Sequence, residues 1–153
     1  MSDKPLELSL SRVFDASPAL LFKMWADPNL MRAWSCPHGF EVVEGDSDFR
    51  AGGSWDARMR GPDGEVLRLR GVYREIVLNE RLRLTHAWVD DGGRAGHETI
   101  LTVTFEKVGS RTRMTLHQAG FDSAQSRDGH LGGWSECLEK LEAHLKSVAA
   151  RAA

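Results

Sequence analysis

The sequence predicts an α+β domain in which a curved antiparallel sheet of seven strands wraps one long C-terminal helix, with two short helices between strands 1 and 2. Three observations carry this expectation. Leucines alternate with polar residues near the N-terminus, two Ser/Asp-Pro pairs mark helix starts just after them, and six alternating segments separated by turn residues lead into one helical stripe. Strands joined by short turns pair antiparallel. Such a sheet has one apolar face to cover, and only the last helix is long enough to cover it.

In the first strand, 6–14, Leu6, Leu8 and Leu10 alternate with Glu7, Ser9 and Ser11, and the same parity turns Arg12 and Phe14 inward. A buried unpaired guanidinium is costly, so Arg12 needs a carboxylate, carbonyls or a ligand anion, and a structural ion pair is the favoured reading. Ser17-Pro18 places a capping hydroxyl before a proline at the first helical position, ahead of Leu21, Met24 and Trp25 at helical spacing. Asp27-Pro28 repeats the device for a second short helix bearing Leu30, Met31 and Trp34. The segments 39–45, 53–60, 65–77, 80–89, 97–107 and 111–119 read as strands, punctuated by Gly52-Gly53, GPDG at 61–64, Asn79-Glu80 and DDGGRAG at 90–96.

From about residue 123, Leu131, Trp134, Leu138, Leu141 and Leu145 step along one helical stripe, with Glu136/Lys140 and Glu142/Lys146 as outer pairs. Gly129, Gly132 and Gly133 fall near its start, where a helix-interior glycine costs about 1 kcal/mol relative to alanine. Either the helix begins later, or the glycines form a flexible entrance beside His130 and Trp134. No repeat, low-complexity tract or linker interrupts the chain, so residues 1–153 read as one domain with short tails at 1–4 and 149–153.

Composition narrows the function classes. A chain of 153 residues can bury roughly 70% of its unfolded surface in one core. Its 41% hydrophobic and 27% charged residues are ordinary globular proportions. A net charge of -2 with interspersed signs leaves no broad cationic face for nucleic acid. Cys36 and Cys137 form no metal or redox spacing, which fits a reducing cytoplasm. The N-terminus does not read as a secretory signal, and no run of eighteen apolar residues suggests a membrane span. The five tryptophans must pack in a core, sit at an interface or line a pocket.

The stretches FDASPALLFKMWADPNLMRAW at 14–34, GGSWDARMRGPDG at 52–64, GVYREIVLNERLRLTHAW at 71–88, LTVTFEKVGSRTRMTLHQAGF at 101–121 and GHLGGWSECLEKLEAHL at 129–145 together resemble the START-like, or SRPBCC, superfamily. Within it they look like the family named for the activator of the heat-shock protein 90 ATPase. The resemblance implies a helix-grip fold. The superfamily includes lipid carriers, hormone receptors, cyclases and allergens, so it implies no single task. The co-chaperones that give the family its name are longer, and no chaperone partner is expected here.

Sorting side chains by strand parity gives candidates for a ligand-binding interior. Trp55, Ala57 and Met59 share a face, as do Leu67, Leu69, Gly71 and Tyr73; Leu82, Leu84, His86 and Trp88; and Thr112, Met114, Leu116 and Gln118. Gly71 suggests a bend or a close approach to the backbone. Gln118 is expected near a mouth beside Phe121. Trp34, Phe40, Trp134 and Leu138 complete the candidate lining, although ordinary core packing explains each aromatic, leucine or methionine singly. A cavity of roughly 300–1,000 Å³ is the size expected of a ligand site. His86 is either a core histidine bonded to a backbone carbonyl or a ligand donor.

Catalytic motifs are missing: there is no G-x-S-x-G, H-E-x-x-H, P-loop or G-x-G-x-x-G after a strand. No metal or cofactor is expected. His38, His97 and His144 read as loop or surface residues, and only His86 with Gln118 or Tyr73 suggests an acid–base pair. The expectation is therefore non-catalytic binding of a small hydrophobic or amphipathic molecule. The alternatives are a cyclase- or dehydratase-like enzyme in the same cavity, or a protein-interaction module, either co-chaperone-like or a homodimer, through Arg58, Arg68, Arg70, Arg83 and Arg113 on the convex face.

Overall fold

In the computed structural model the elements run β1 (Glu7–Phe14), α1 (Pro18–Ala26), α2 (Pro28–Met31), β2 (Glu41–Ser47), β3 (Ser54–Arg60), β4 (Val66–Val77), β5 (Arg81–Val89), β6 (Thr99–Val108), β7 (Arg111–Ala119) and α3 (Ala124–Ala152). The structure describes residues 6–152, without the side chains of 149–152. The expected tail at 1–4 and residue 153 lie outside the described residues. Residues 149–152 continue α3 instead of forming a tail.

Both helix starts form as their sequences dictate. Ser17 caps α1 by accepting from the Leu20 amide at 3.1 Å, with Pro18 in the first turn where no backbone donor is needed. Asp27 serves twice: its amide donates to the Lys23 carbonyl at the end of α1, and its carboxylate accepts from the Asn29 amide at 2.9 Å to open α2. The shared residue fixes the turn between the two helices.

The strands form one antiparallel sheet in the order β1-β7-β6-β5-β4-β3-β2, a meander in which the first strand returns to pair with the last. Bulges between Val42 and Glu44 and between Tyr73 and Glu75 add local bends. Leu8, Phe14, Leu82, Leu101, Val103, Met114 and Leu116 meet Leu138, Leu141 and Leu145 of α3 and Leu21, Met24 and Trp25 of α1 in one core. A smaller cluster of Cys36, Met59 and Leu69, with Phe40 against it, lies toward β2 and β3.

Two expectations about facing need correction, those for Leu131 and Thr85. Leu131 is exposed, because the buried phase of α3 runs through Cys137, Leu138, Leu141 and Leu145 and turns His130 inward in its place. Arg12 keeps the inward parity of Leu8, Leu10 and Phe14, and it forms the expected structural ion pair, with Glu142 of α3 at 3.3 Å, which links the first strand to the last helix. Strand parity puts Thr85 outward with Arg81 and Arg83, but Thr85 does not face solvent. It is buried where β4 and β5 part: its hydroxyl accepts from the Val72 amide at 2.8 Å, and its carbonyl accepts from Trp55 Nε1 at 3.1 Å. This is also why residue 71 is glycine. A Cβ there would lie 1.9 Å from the Thr85 carbonyl oxygen and 2.4 Å from Trp55 Nε1.

Candidate ligand cavity

Between the sheet and α3 lies a hollow in two adjoining parts. The inner part is small, about 80 Å³, and is walled by Trp25, Met31, Trp55, Tyr73, Leu84 and Trp134, with His86 at its edge. It shares Ser35, Met59, Leu69, His86 and Trp134 with a more open groove of about 380 Å³ along the first turns of α3, where Trp88, Gly129, His130, Gly133 and Cys137 complete the wall. The inner part falls well short of an ordinary ligand site, whereas the groove reaches that range. A further space of about 200 Å³, beside Gly96 and His97, also meets His86, Trp88 and His130.

The glycines of α3 shape the groove. The helix begins at Ala124, not later, and a Cβ on Gly129 would project into open space, while one on Gly133 would come no closer than 3.6 Å, to Pro37. Side chains at these positions would occupy the groove.

A chain of hydrogen bonds holds His86. The Trp134 indole can only donate, and it donates to Gln118 Oε1 at 2.8 Å. That fixes the amide: Gln118 Nε2 faces Thr99 Oγ1 at 2.8 Å and His86 Nδ1 at 3.5 Å, and the Thr99 hydroxyl donates to the His86 carbonyl at 3.1 Å. A proton on His86 Nδ1 would point at another N–H, so the ring carries its proton on Nε2. No protein group among the described residues pairs with that Nε2. Burial, and secondarily His130, pushes the His86 pKa down to about 3, so the ring is neutral at physiological pH. His86 is thus held by a side-chain amide, not by the backbone carbonyl expected for a core histidine.

The sequence-predicted site residues divide into two groups. Trp55, Met59, Tyr73, His86 and Trp134 meet around the hollow, and Trp88 stands at its rim, 40% exposed instead of pointing inward. Trp34, Phe40, Met114, Leu116, Gln118, Phe121 and Leu138 do not line it. Trp34 is fully buried and donates to the Met24 carbonyl at 3.2 Å; Met114 receives the Trp25 indole N–H at 3.3 Å; Leu116 and Leu138 are core. Gln118 is fully buried behind His86, away from any mouth. Phe121 packs on His130 with ring centroids 5.0 Å apart, and Phe40 packs in the smaller cluster.

Sequence reasoning left Trp25, Met31 and Leu84 out of the site, and also His130, which it named only beside the glycine entrance. His130 lies four positions before Trp134 on the same helical face, a signal that the stripe phased on Leu131 obscured. Its Nδ1 sits 2.8 Å from the Ser126 carbonyl, and its ring is 5.6 Å from that of His86. His38 is a loop residue beside Glu139, and His97 bonds the Gly120 carbonyl. His144, expected at the surface, instead has a buried Nε2 with no partner among the described residues.

The chemistry of the wall is mostly apolar. Among the described residues no lysine or arginine lines the inner part or the groove. Cys137 reaches the groove, but burial, followed by Cys36, pushes its thiol up to about 12, so it stays protonated. Among the described residues no group of three or more His, Cys, Asp or Glu side chains is placed to hold a metal ion, and no helix is long and apolar enough to cross a membrane.

A meander of seven strands closed over a C-terminal helix, with a lined hollow between them, is the helix-grip architecture of START-like domains. Residues 15–146 match the family model described as Activator of Hsp90 ATPase homolog 1-like protein, and the chain belongs to that family. Among solved structures it is similar to the AHSA1 protein from Silicibacter pomeroyi, with a TM-score of 0.85 and 28% identity over 92% of this chain and 97% of that one. A protein from Chromobacterium violaceum gives a TM-score of 0.81 and 28% identity over 92% of this chain and 96% of the other. The solution structure of a protein from Arthrobacter aurescens gives 0.84 and 26% over 94% and 87%. A search among curated proteins finds no match. One architecture hosts many tasks, so activity lives in the site's own groups.

Proposed function

We propose that the protein binds, without catalysis, a small hydrophobic or amphipathic molecule in the hollow between the sheet and α3. The observation that carries this reading is His86. Its Nδ1 faces the Gln118 amide at 3.5 Å, while its Nε2–H has no protein partner among the described residues, beside a groove of about 380 Å³ whose wall is otherwise largely apolar. A buried donor maintained by a three-residue network is what a binding site needs to orient an apolar guest.

The chemistry favours binding over turnover. A histidine held neutral down to about pH 3 is a weak base, and its nearest polar side-chain partner, Gln118, has no titrating proton to exchange. The two cysteines are unpaired, which fits the reducing cytoplasm proposed for this activity.

Thermal unfolding in the presence of fatty acids, sterols and neutral one- and two-ring aromatics tests the reading. A ligand at a hundred times its Kd adds about 2.7 kcal/mol, enough to raise Tm by several degrees in a domain of this size. At least one class is expected to do so. No shift from any class up to its solubility limit overturns the proposal.

A further inference from the structure

His86 and His130 face the same groove with opposite hydrogen-bonding character. Gln118 fixes His86 as an Nε2–H donor. His130 Nδ1 lies 2.8 Å from the Ser126 carbonyl, which can only accept, so Nδ1 carries the proton and Nε2 of the neutral ring is an acceptor. Neither Nε2 has a protein partner among the described residues. Both rings border the groove and the adjoining space beside His97.

Their ring centroids are 5.6 Å apart, so one ligand group bonding both must carry its acceptor and donor on the same or neighbouring atoms. Around them stand flat surfaces: Trp55 is 5.7 Å from His86, Trp88 is 5.8 Å and Phe121 5.0 Å from His130, and Trp134 is 6.4 Å from His86. Of these, Trp55, Trp88 and Trp134 border the hollow and offer stacking or edge contacts to a planar aromatic guest. An anion would enter a wall with no lysine or arginine to compensate its desolvation.

We infer that the groove recognises an uncharged aromatic molecule bearing an adjacent acceptor and donor, as in a carboxamide or lactam, the acceptor on His86 Nε2–H and the donor on His130 Nε2. This rests on the binding function proposed above and names the class of ligand. Depressed basicity of His86 supports it, since a neutral ring has one N–H to give.

Calorimetric titration with benzamide, acetophenone, aniline, ethylbenzene and benzoate tests it. Benzamide carries both groups, acetophenone only the acceptor, aniline the donor, ethylbenzene neither, and benzoate a charge. A buried neutral hydrogen bond is worth about fivefold to tenfold in affinity, so benzamide should bind at least about fivefold more tightly than acetophenone or aniline, with benzoate weakest. His86→Phe should abolish the advantage of benzamide over aniline and keep that over acetophenone; His130→Phe should do the reverse. Retained ethylbenzene binding shows that each variant is folded with its cavity intact. Equal affinities for benzamide, acetophenone, aniline and ethylbenzene, or variants that leave both preferences unchanged, overturn the inference while the cavity stays a binding site. Binding of none of the five removes the cavity function along with it.

Discussion

Acidification should expose the burial of His86 directly. In the unfolded chain a histidine titrates near 6.5, whereas in the folded protein His86 is held near 3. Between those values the unfolded state binds one more proton than the folded state, so stability rises with pH across the window and falls as pH drops through it. The loss is about tenfold in the folding constant per pH unit. Because the interval starts at the unfolded pKa, going from pH 6.5 to pH 4.5 costs about 2 kcal/mol from this residue alone. His86→Phe keeps a ring among Trp55, Trp88 and Trp134 and has no proton to take up. Taking the difference between the two proteins isolates the contribution of His86 together with its coupling to His130. The assay is urea unfolding followed by tryptophan fluorescence at pH 6.5, 5.5 and 4.5. The variant should start slightly less stable at pH 6.5, for want of the Gln118 contact, and overtake the wild type on acidification. Two parallel profiles, with a difference constant to about 0.5 kcal/mol, would refute the assignment of a buried, neutral His86.

Three further outcomes follow from the packing. Gly71→Ala forces a Cβ against the Thr85 carbonyl and the Trp55 indole, and should destabilise by about 2–4 kcal/mol in urea unfolding. Trp134→Phe removes the donor to Gln118 Oε1 in a fully buried amide; chemical denaturation should show a loss of about 2–4 kcal/mol from the orphaned carbonyl and the lost ring volume together. Glu142→Gln breaks the Arg12 ion pair, whose side chains are 35% and 48% exposed, so unfolding at low salt should show a loss of no more than about 1 kcal/mol, shrinking as salt is added.

Much of the architecture is legible because short-range rules dictate it. Ser17 and Asp27 cap the helices they precede, and period-two alternation marks every strand. The site is less legible because it depends on long-range facts. Alternation places Leu82, Leu84 and His86 correctly but fails at Thr85 and Trp88, where β4 and β5 part around the Trp55 indole and Thr85 takes over a ladder bond. In the helical stripe Trp134, Leu138, Leu141 and Leu145 turn inward as expected, and the first member alone is displaced: His130, about 100° from Leu131, takes its place. Gln118 shares the inward parity of Met114 and Leu116, yet its role in fixing the tautomer of His86 arises only when β5, β6, β7 and α3 come together. Gly129 and Gly133 carry a helix-propensity cost without any local reason; the groove they leave open supplies one.

The five tryptophans report on the central claim, because their indole N–H groups give separate signals in a ¹H–¹⁵N correlation spectrum. Titrating the protein with a neutral aromatic such as benzamide should move the Trp134 and Trp55 indole signals saturably, with Trp88 following at the rim. Trp34, sealed behind the core with its N–H on the Met24 carbonyl, should stay in place. Signals that all remain fixed to the solubility limit, or a Trp34 signal that moves as far as that of Trp134, would contradict a guest seated between the sheet and α3.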